Sequence, residues 1–84
     1  MGAMTIYNRL KIMIAEKELR EGRKLTYRTI AKETGVSTGT LTTYISQRVS
    51  RYDGPTLEAF CRFFDCQPGD LLVFTDTPPA QAKQ

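Results

Sequence analysis

Two short helical segments in the middle of the chain carry the same start and stop signals, and they constrain the fold more than any other feature. Thr26 is a good N-cap, so a helix is predicted over residues 27–34, and Gly35 ends it after two turns. Ser37 then caps a second helix, predicted over residues 38–47. The chain is therefore expected to fold around two short helices joined by a glycine-containing turn.

The remaining segments predict further helices around this pair. A first helix is predicted over residues 5–21, because four apolar residues recur there at helical spacing, and Gly22 ends it. Asp53 caps another helix with an apolar stripe at i, i+3, i+4 and i+7. Residues 68–72 can add one helical turn, and residues 72–75 are apolar and β-prone enough for a terminal strand. The two apolar sets are Ile6, Leu10, Met13 and Ile14, and Leu57, Phe60, Cys61 and Phe64.

The 84 residues are enough for one domain, which we place at residues 5–75. The expected fold class is all-α: a compact domain of four to five helices, with a short C-terminal β-strand as an addition. Residues 1–4 are expected to be disordered or a cloning remnant, and residues 76–84 to form a disordered tail. The sequence has neither an apolar run of about 18 residues nor a leader, so we expect a cytoplasmic protein with no membrane partner.

The reactive residue types argue against catalysis and metal binding. The chain has no histidine and two cysteines, Cys61 and Cys66, whose spacing of five predicts neither a disulfide nor neighbours on one helix face. A zinc site needs about four ligands, so no metal is predicted. The sequence has no glycine-rich phosphate loop and no base beside its serines or tyrosines. We therefore predict no enzyme activity, no cofactor and no small-molecule substrate.

Charge is distributed unevenly along the chain. Residues 1–51 contain ten basic and four acidic side chains, a net charge of +6, whereas residues 52–84 contain two basic and five acidic ones, a net charge of −3. This asymmetry indicates one face for a polyanion and another face for a different contact.

The two faces of the helix predicted over residues 38–47 differ in character. One face is apolar and is expected to pack against the core. The other is small, polar and uncharged, whereas lysine and glutamate normally dominate an exposed helix face. Small hydroxyl-bearing side chains allow a helix to enter the DNA major groove and bond to base edges. The inward set is Leu41, Tyr44 and Ile45, and the outward set is Gly39, Thr42, Thr43 and Ser46.

The run from Leu25 to Ile45 resembles the helix-turn-helix of the lambda-repressor-like, Cro-type (XRE) family. Its marks are the Gly35-Val36-Ser37 turn, the Thr56-Leu57 helix start and the Pro68-Gly69-Asp70-Leu71-Leu72 segment, so the resemblance spans about residues 5–72. It implies a five-helix domain that binds double-stranded DNA, usually as a homodimer on a palindromic operator. On this basis we predict a small transcriptional repressor that inserts residues 38–47 into the major groove.

The resemblance also implies roles for individual residues. Contacts with bases are expected from Thr38, Gly39, Thr42 and Thr43. Contacts with phosphates are expected from Thr26, Tyr27, Arg28, Ser37, Ser46, Gln47, Arg48 and Arg51. Two features depart from the family pattern: the connection at residues 21–24 is longer than usual, and position 39 is glycine where relatives often carry a large polar residue. Direct base readout is therefore expected to be sparse and shape readout larger.

The apolar segment near the end of the chain is predicted to be a dimer interface. Leu72, Val73 and Phe74 are left over once the helical core is assembled, and an unpaired apolar strand needs a cover, such as its own copy or the first helix of a partner. An alternative function is an antitoxin or protein-interaction module whose main partner is another protein. The same segment and the acidic C-terminal third could serve that role.

Overall fold

The structure is a computed structural model that describes residues 4–79. Five helices lie between two strands in this range, with one strand at each end. In chain order the elements are β1 (Thr5–Asn8), α1 (Leu10–Glu21), α2 (Tyr27–Thr34), α3 (Thr38–Ile45), α4 (Gly54–Phe64), α5 (Pro68–Leu71) and β2 (Leu72–Thr75). The expected fold class, a small helical domain with a C-terminal strand, is confirmed. The expectations for residues 1–3 and 80–84 lie outside the described residues.

The helix-turn-helix forms where its capping residues predict it. The Thr26 Oγ1 accepts a hydrogen bond from the Thr29 N–H at 3.1 Å, and the Ser37 Oγ accepts one from the Thr40 N–H at 3.2 Å. Gly35, between the two helices, takes the left-handed conformation with φ +83°, which a side chain would disfavour. α3 ends at Ile45, two residues before the predicted end, because Gln47 also turns left-handed.

The prediction of a single helix over residues 5–21 is wrong at its start. Residues 5–8 form β1, which pairs antiparallel with β2, with Ile6 opposite Phe74 and Asn8 opposite Leu72. Thr, Ile and Tyr favour strands, and the distant partner strand decides the conformation over the helical spacing of Ile6 and Leu10. The Asn8 Oδ1 accepts the Leu10 N–H at 3.1 Å, so α1 begins only after this residue.

The core lies where the five helices meet, with Ile30 as the contribution of α2. The completely buried side chains include Leu10, Leu41, Phe60 and Leu71. The Tyr44 ring packs edge-on against Phe60, with the ring centroids 4.9 Å apart. α3 is thereby anchored on one face and leaves the other exposed. Among residues 4–79, no helix is long and apolar enough to cross a membrane.

Candidate nucleic-acid interface

The outward face of α3 is as small and polar as the sequence predicts. Leu41 and Tyr44 are buried and Ile45 is half-buried against the core. The four residues expected to face bases are all exposed, namely Thr38, Gly39, Thr42 and Thr43. Ser37 and Ser46, at the two ends of the helix, are exposed as well.

The hydroxyls on this face are already engaged as donors. The Thr42 Oγ1 donates to the Thr38 carbonyl, and the Thr43 Oγ1 donates to the Gly39 carbonyl, both at 3.0 Å. The Ser46 Oγ likewise donates to the Thr43 carbonyl at 3.2 Å. Because the hydroxyl protons of Thr42, Thr43 and Ser46 are used within the helix, these three residues offer a ligand their oxygen lone pairs, together with the threonine methyl groups.

An open groove of about 600 Å³ joins this face to the loop after α3. Gly39 and Thr43 line it from α3, and Arg48 and Arg51 line it from the loop. Both arginines are exposed, and neither pairs with a carboxylate among residues 4–79. Two fixed positive charges therefore stand free beside the small face of α3.

One acidic residue, Asp53, also lines the groove. Its carboxylate accepts the Thr56 N–H at 3.0 Å and caps α4 as predicted. Hydrogen bonds from Thr56 hold the pKa of Asp53 below its ordinary value, so the group remains charged at neutral pH. Its charge is directed at the start of α4, where the helix dipole favours it.

The basic region of the sequence is only partly free. Arg23 donates to Glu21 at 2.8 Å and to both carboxylate oxygens of Glu33 at 3.2 Å. Lys17 pairs with Glu21 at 2.8 Å and donates to the Phe63 carbonyl at 2.9 Å. These charges are satisfied within the molecule, so the net count of +6 overstates what a polyanion would encounter.

The residues of α2 that were expected to touch phosphate lie apart from the groove. Thr26, Tyr27 and Arg28 are exposed at the start of α2, but none of them lines it. The Thr26 Oγ1 caps the helix and is 2.9 Å from the Thr29 Oγ1. These three residues therefore form a second exposed polar group.

Gln47 has a different partner from the expected phosphate. Its backbone is left-handed, with φ +61°, at a cost of about 1–2 kcal/mol for a residue other than glycine. Its Oε1 accepts the Asn8 N–H at 3.0 Å, and its Nε2 donates to the Asn8 carbonyl at 2.8 Å. Sequence reasoning missed Asn8, although an asparagine between β-prone residues and a helix is a typical capping signal.

Tyr44 carries a buried hydroxyl beneath the groove. Within residues 4–79 this oxygen has no hydrogen-bond partner. Burial, with smaller effects from Asp53 and Tyr52, raises the pKa of Tyr44 to about 12. The phenol therefore stays neutral at physiological pH, and its role here is packing.

The segment predicted as the dimer interface is not an unpaired strand. β2 is paired with β1, Leu72 packs against the core and Val73 is half-buried. Only Phe74 is largely exposed, at 66%, and its cross-strand neighbour Ile6 is exposed at 50%. The surface that the sheet leaves uncovered is thus the Ile6–Phe74 pair rather than a run of three residues.

Cys61 and Cys66 lie close together as free thiols, but they do not share a helix face, because Cys66 follows the end of α4. Asp65 turns left-handed at φ +55°, and the Cys66 N–H donates to the Cys61 carbonyl at 3.0 Å. This geometry brings the residue after a helix back beside its last turn. Burial, with the nearby Cys61, raises the pKa of the Cys66 thiol to about 11, so the thiol is a poor nucleophile at neutral pH.

Comparison with known protein families gives a match over most of the chain. A family model described as a Cro/C1-type HTH DNA-binding domain matches residues 9–77, which include all five helices and β2. No curated protein and no solved structure matches the chain.

Proposed function

Because the chain belongs to the family of Cro/C1-type HTH DNA-binding domains, we propose that it is a sequence-specific transcriptional repressor that places α3 in the major groove. The observation that carries this proposal is the groove in which the small polar face of α3 adjoins two unpaired arginines. We propose repression rather than activation because a protein bound at a promoter is enough to block transcription from it. We also propose that the protein acts in the cytoplasm at the nucleoid of a prokaryote, or on the DNA of a phage or mobile element, and that it has no catalytic role.

The proposed base contacts come from the outward face of α3. Thr38, Gly39, Thr42 and Thr43 carry no bulk that would hold the helix out of a groove about 12 Å wide. Since the hydroxyl protons of Thr42 and Thr43 are used within the helix, their oxygens are suited to accept from the amino groups of adenine or cytosine. Their methyl groups are suited to thymine methyls. The proposed readout therefore favours amino-bearing bases and thymine at a few positions.

The proposed phosphate contacts surround this face. Arg48 and Arg51 supply the charge, and charge is what makes a protein–DNA contact strong but independent of sequence. The rest of the proposed set is Thr26, Tyr27, Arg28, Ser37 and Ser46. The Ser37 and Ser46 hydroxyls donate within the protein, so each must turn from its present acceptor to donate to a phosphate. We leave Gln47 out, because both atoms of its side-chain amide are bonded to Asn8.

We propose that the protein acts as a homodimer through the exposed apolar pair of the sheet. One recognition helix covers only a few base pairs, and a two-fold dimer doubles the number of bases read. Ile6 and Phe74 lie opposite each other and are largely exposed, so a second copy that packs on them would bury both. Leu72 and Val73 contribute to this contact by supporting the strand.

Selection of binding sites from a random DNA pool tests the whole proposal. We expect an enriched site with two-fold symmetry and half-sites about one helical turn apart. An enriched site without symmetry would refute the dimer and leave the DNA readout intact. No enrichment, with binding to random DNA preserved, would refute sequence specificity.

Paired substitutions at Thr43 test the base contact on the selected site. Thr43→Val keeps the methyl group and removes the acceptor, whereas Thr43→Ser keeps the acceptor and removes the methyl group. We expect Thr43→Val to weaken binding to the selected site by about 1–3 kcal/mol, the usual value of a good base contact, and to leave random-DNA binding unchanged. Fluorescence anisotropy with both DNAs measures this difference. Equal losses on the two DNAs would show that Thr43 does not read sequence.

A further inference from the structure

The turn that follows α3 is closed by main-chain bonds. The Gln47 N–H donates to the Tyr44 carbonyl and the Arg48 N–H donates to the Thr43 carbonyl, both at 3.0 Å. Glycine is the usual residue at the left-handed position of such a turn, because it adopts a positive φ without strain. At position 47 the chain has glutamine instead, and its side chain makes contacts that glycine cannot make.

The Gln47 side chain makes two hydrogen bonds with the main chain of β1. The Gln47 amide bonds both the N–H and the carbonyl of Asn8, as a neighbouring strand would. The Asn8 side chain is 1% exposed, and its Nδ2 donates to the Tyr44 carbonyl at 3.0 Å and to the Tyr52 hydroxyl at 3.4 Å. Asn8 therefore contacts the end of α3, the turn and the end of the following loop.

The loop that carries the two free arginines lies between these contacts. Arg48 directly follows Gln47, and Arg51 directly precedes Tyr52, so both ends of the loop are tied to Asn8. We infer that Asn8 and Gln47 form a clamp that positions Arg48 and Arg51 for DNA. Asn8 is then a positioning residue that acts through the loop and is not in the DNA contact itself.

The inference rests on the proposed phosphate role of the two arginines, and the family match does not supply it. The matched residues begin at position 9, immediately after Asn8. A loop that is free to move must be ordered when DNA binds, and that ordering opposes binding. A loop already held by the clamp avoids this loss, so the clamp strengthens binding without touching DNA.

The test replaces Gln47 by glycine, which removes the side chain and accepts the left-handed backbone. We expect Gln47→Gly to fold with a lower thermal midpoint than the wild type, because relief of backbone strain offsets only part of the two lost hydrogen bonds and of the added chain entropy. Binding to a short random-sequence duplex is expected to weaken about fivefold to tenfold, as the loop must now be ordered on binding. The slope of log affinity against log salt is expected to flatten by up to about 0.9 for each phosphate contact that is lost.

A double-mutant cycle separates positioning from general stability. In an Arg48→Ala/Arg51→Ala background, Gln47→Gly should have little further effect, because the contacts it positions are already gone. Gln47→Asn is the second variant: asparagine tolerates the left-handed backbone, but its side chain is too short to reach both Asn8 groups, so it should lose affinity too.

The outcomes are distinguishable. If the Gln47→Gly variant folds and binds random DNA with wild-type affinity and salt slope, the clamp is refuted and the proposed function is not affected. An equal loss from Gln47→Gly with and without the arginines would also overturn it. A wild-type protein that binds no DNA would refute the proposed function first, and this inference with it.

Discussion

The ends of α1 and α3 are built alike and serve different purposes. Each helix is followed by a left-handed residue and then an arginine. Gly22, with φ +67°, directly follows α1 and precedes Arg23, whereas Gln47, with φ +61°, follows α3 after Ser46 and precedes Arg48. In each, the arginine N–H bonds a carbonyl five residues earlier, at 3.3 Å to Glu18 and at 3.0 Å to Thr43. The two turns thus share the bond of the arginine, but the Gly22 N–H bonds the Glu18 carbonyl four residues back, whereas the Gln47 N–H bonds the Tyr44 carbonyl three residues back.

The two arginines differ in their surroundings. Arg23 is bonded to Glu21 and Glu33, whereas Arg48 has no carboxylate partner among residues 4–79. A charge that is already paired gains little from a phosphate, since it must give up one partner to take another. The lesson is that tertiary placement of acidic residues, and not the number of basic ones, decides which arginines are free for DNA.

The largest expected effect comes from removing the two free arginines, Arg48 and Arg51. Arg48→Ala with Arg51→Ala should weaken binding to random DNA roughly 100-fold, if each charge-assisted contact contributes about 1.5 kcal/mol. The salt slope should flatten by about 1.8, or 0.9 for each contact. Anisotropy titrations at several salt concentrations measure both quantities.

Arg23→Ala is the matched control for that experiment. It removes one positive charge from the same kind of turn, and we expect affinity and salt slope to remain close to wild type. If Arg23→Ala weakened DNA binding as much as Arg48→Ala, net charge alone would govern binding, and the distinction between paired and free arginines would be wrong.

The next largest effect is the loss of stability expected when the left-handed residue after α1, Gly22, is replaced. A Cβ on Gly22 would meet no other atom within 4 Å, so Gly22→Ala isolates the cost of the backbone conformation. We expect it to lower the free energy of unfolding by about 1–2 kcal/mol and to leave DNA affinity unchanged. Urea denaturation measures the first and anisotropy the second. An unaltered unfolding curve would mean that this turn relaxes to a different conformation.

The smallest effect is the pH dependence of the Arg23 ion pairs. Hydrogen bonding by Arg23 holds the pKa of Glu33 below its ordinary value of 4.5, while Lys17 and then Arg23 lower that of Glu21. Pairing therefore stabilises the fold above about pH 4.5, and this contribution is lost as the pH falls through the lowered pKa values. Arg23 and both carboxylates are exposed, so the effect should be small.

Denaturation of wild type and Arg23→Ala across this range measures that contribution. The difference in stability between the two proteins should be constant near neutral pH and should shrink toward zero below pH 4.5. A difference that grew on acidification would show that Arg23 acts by some means other than pairing with Glu21 and Glu33.

Local signals account for what the sequence predicts well. Thr26, Ser37 and Asp53 cap their helices because a capping oxygen and its N–H lie three residues apart, which a sequence shows directly. The outward face of α3 follows from helical spacing alone. The domain boundaries and the contacts with DNA stay predictions.

What the sequence does not reveal depends on partners far along the chain. β1 is a strand because residues 72–75 pair with it, and nothing near residue 5 indicates that partner. The Asn8 contact with Gln47 joins residues 39 positions apart, and the pairing of Arg23 with Glu33 joins the connection after α1 to the far end of α2. Such contacts follow only once the helices are placed in space.

The pairing of Thr5 with Thr75 also bears on the order in which the molecule assembles. Closing a chain segment costs entropy that rises with the logarithm of its length, so contacts between neighbouring helices form more readily than this one. The helical core is therefore expected to condense before the sheet closes, and the sheet to open first in local unfolding. Native-state amide hydrogen exchange measures the order of opening: the Tyr7 amide in β1 is expected to exchange faster than the Ile30 amide in α2. Asn8 belongs to β1, which is expected to pair late in folding. The loop that carries Arg48 and Arg51 is therefore expected to reach its final position only at the end of folding.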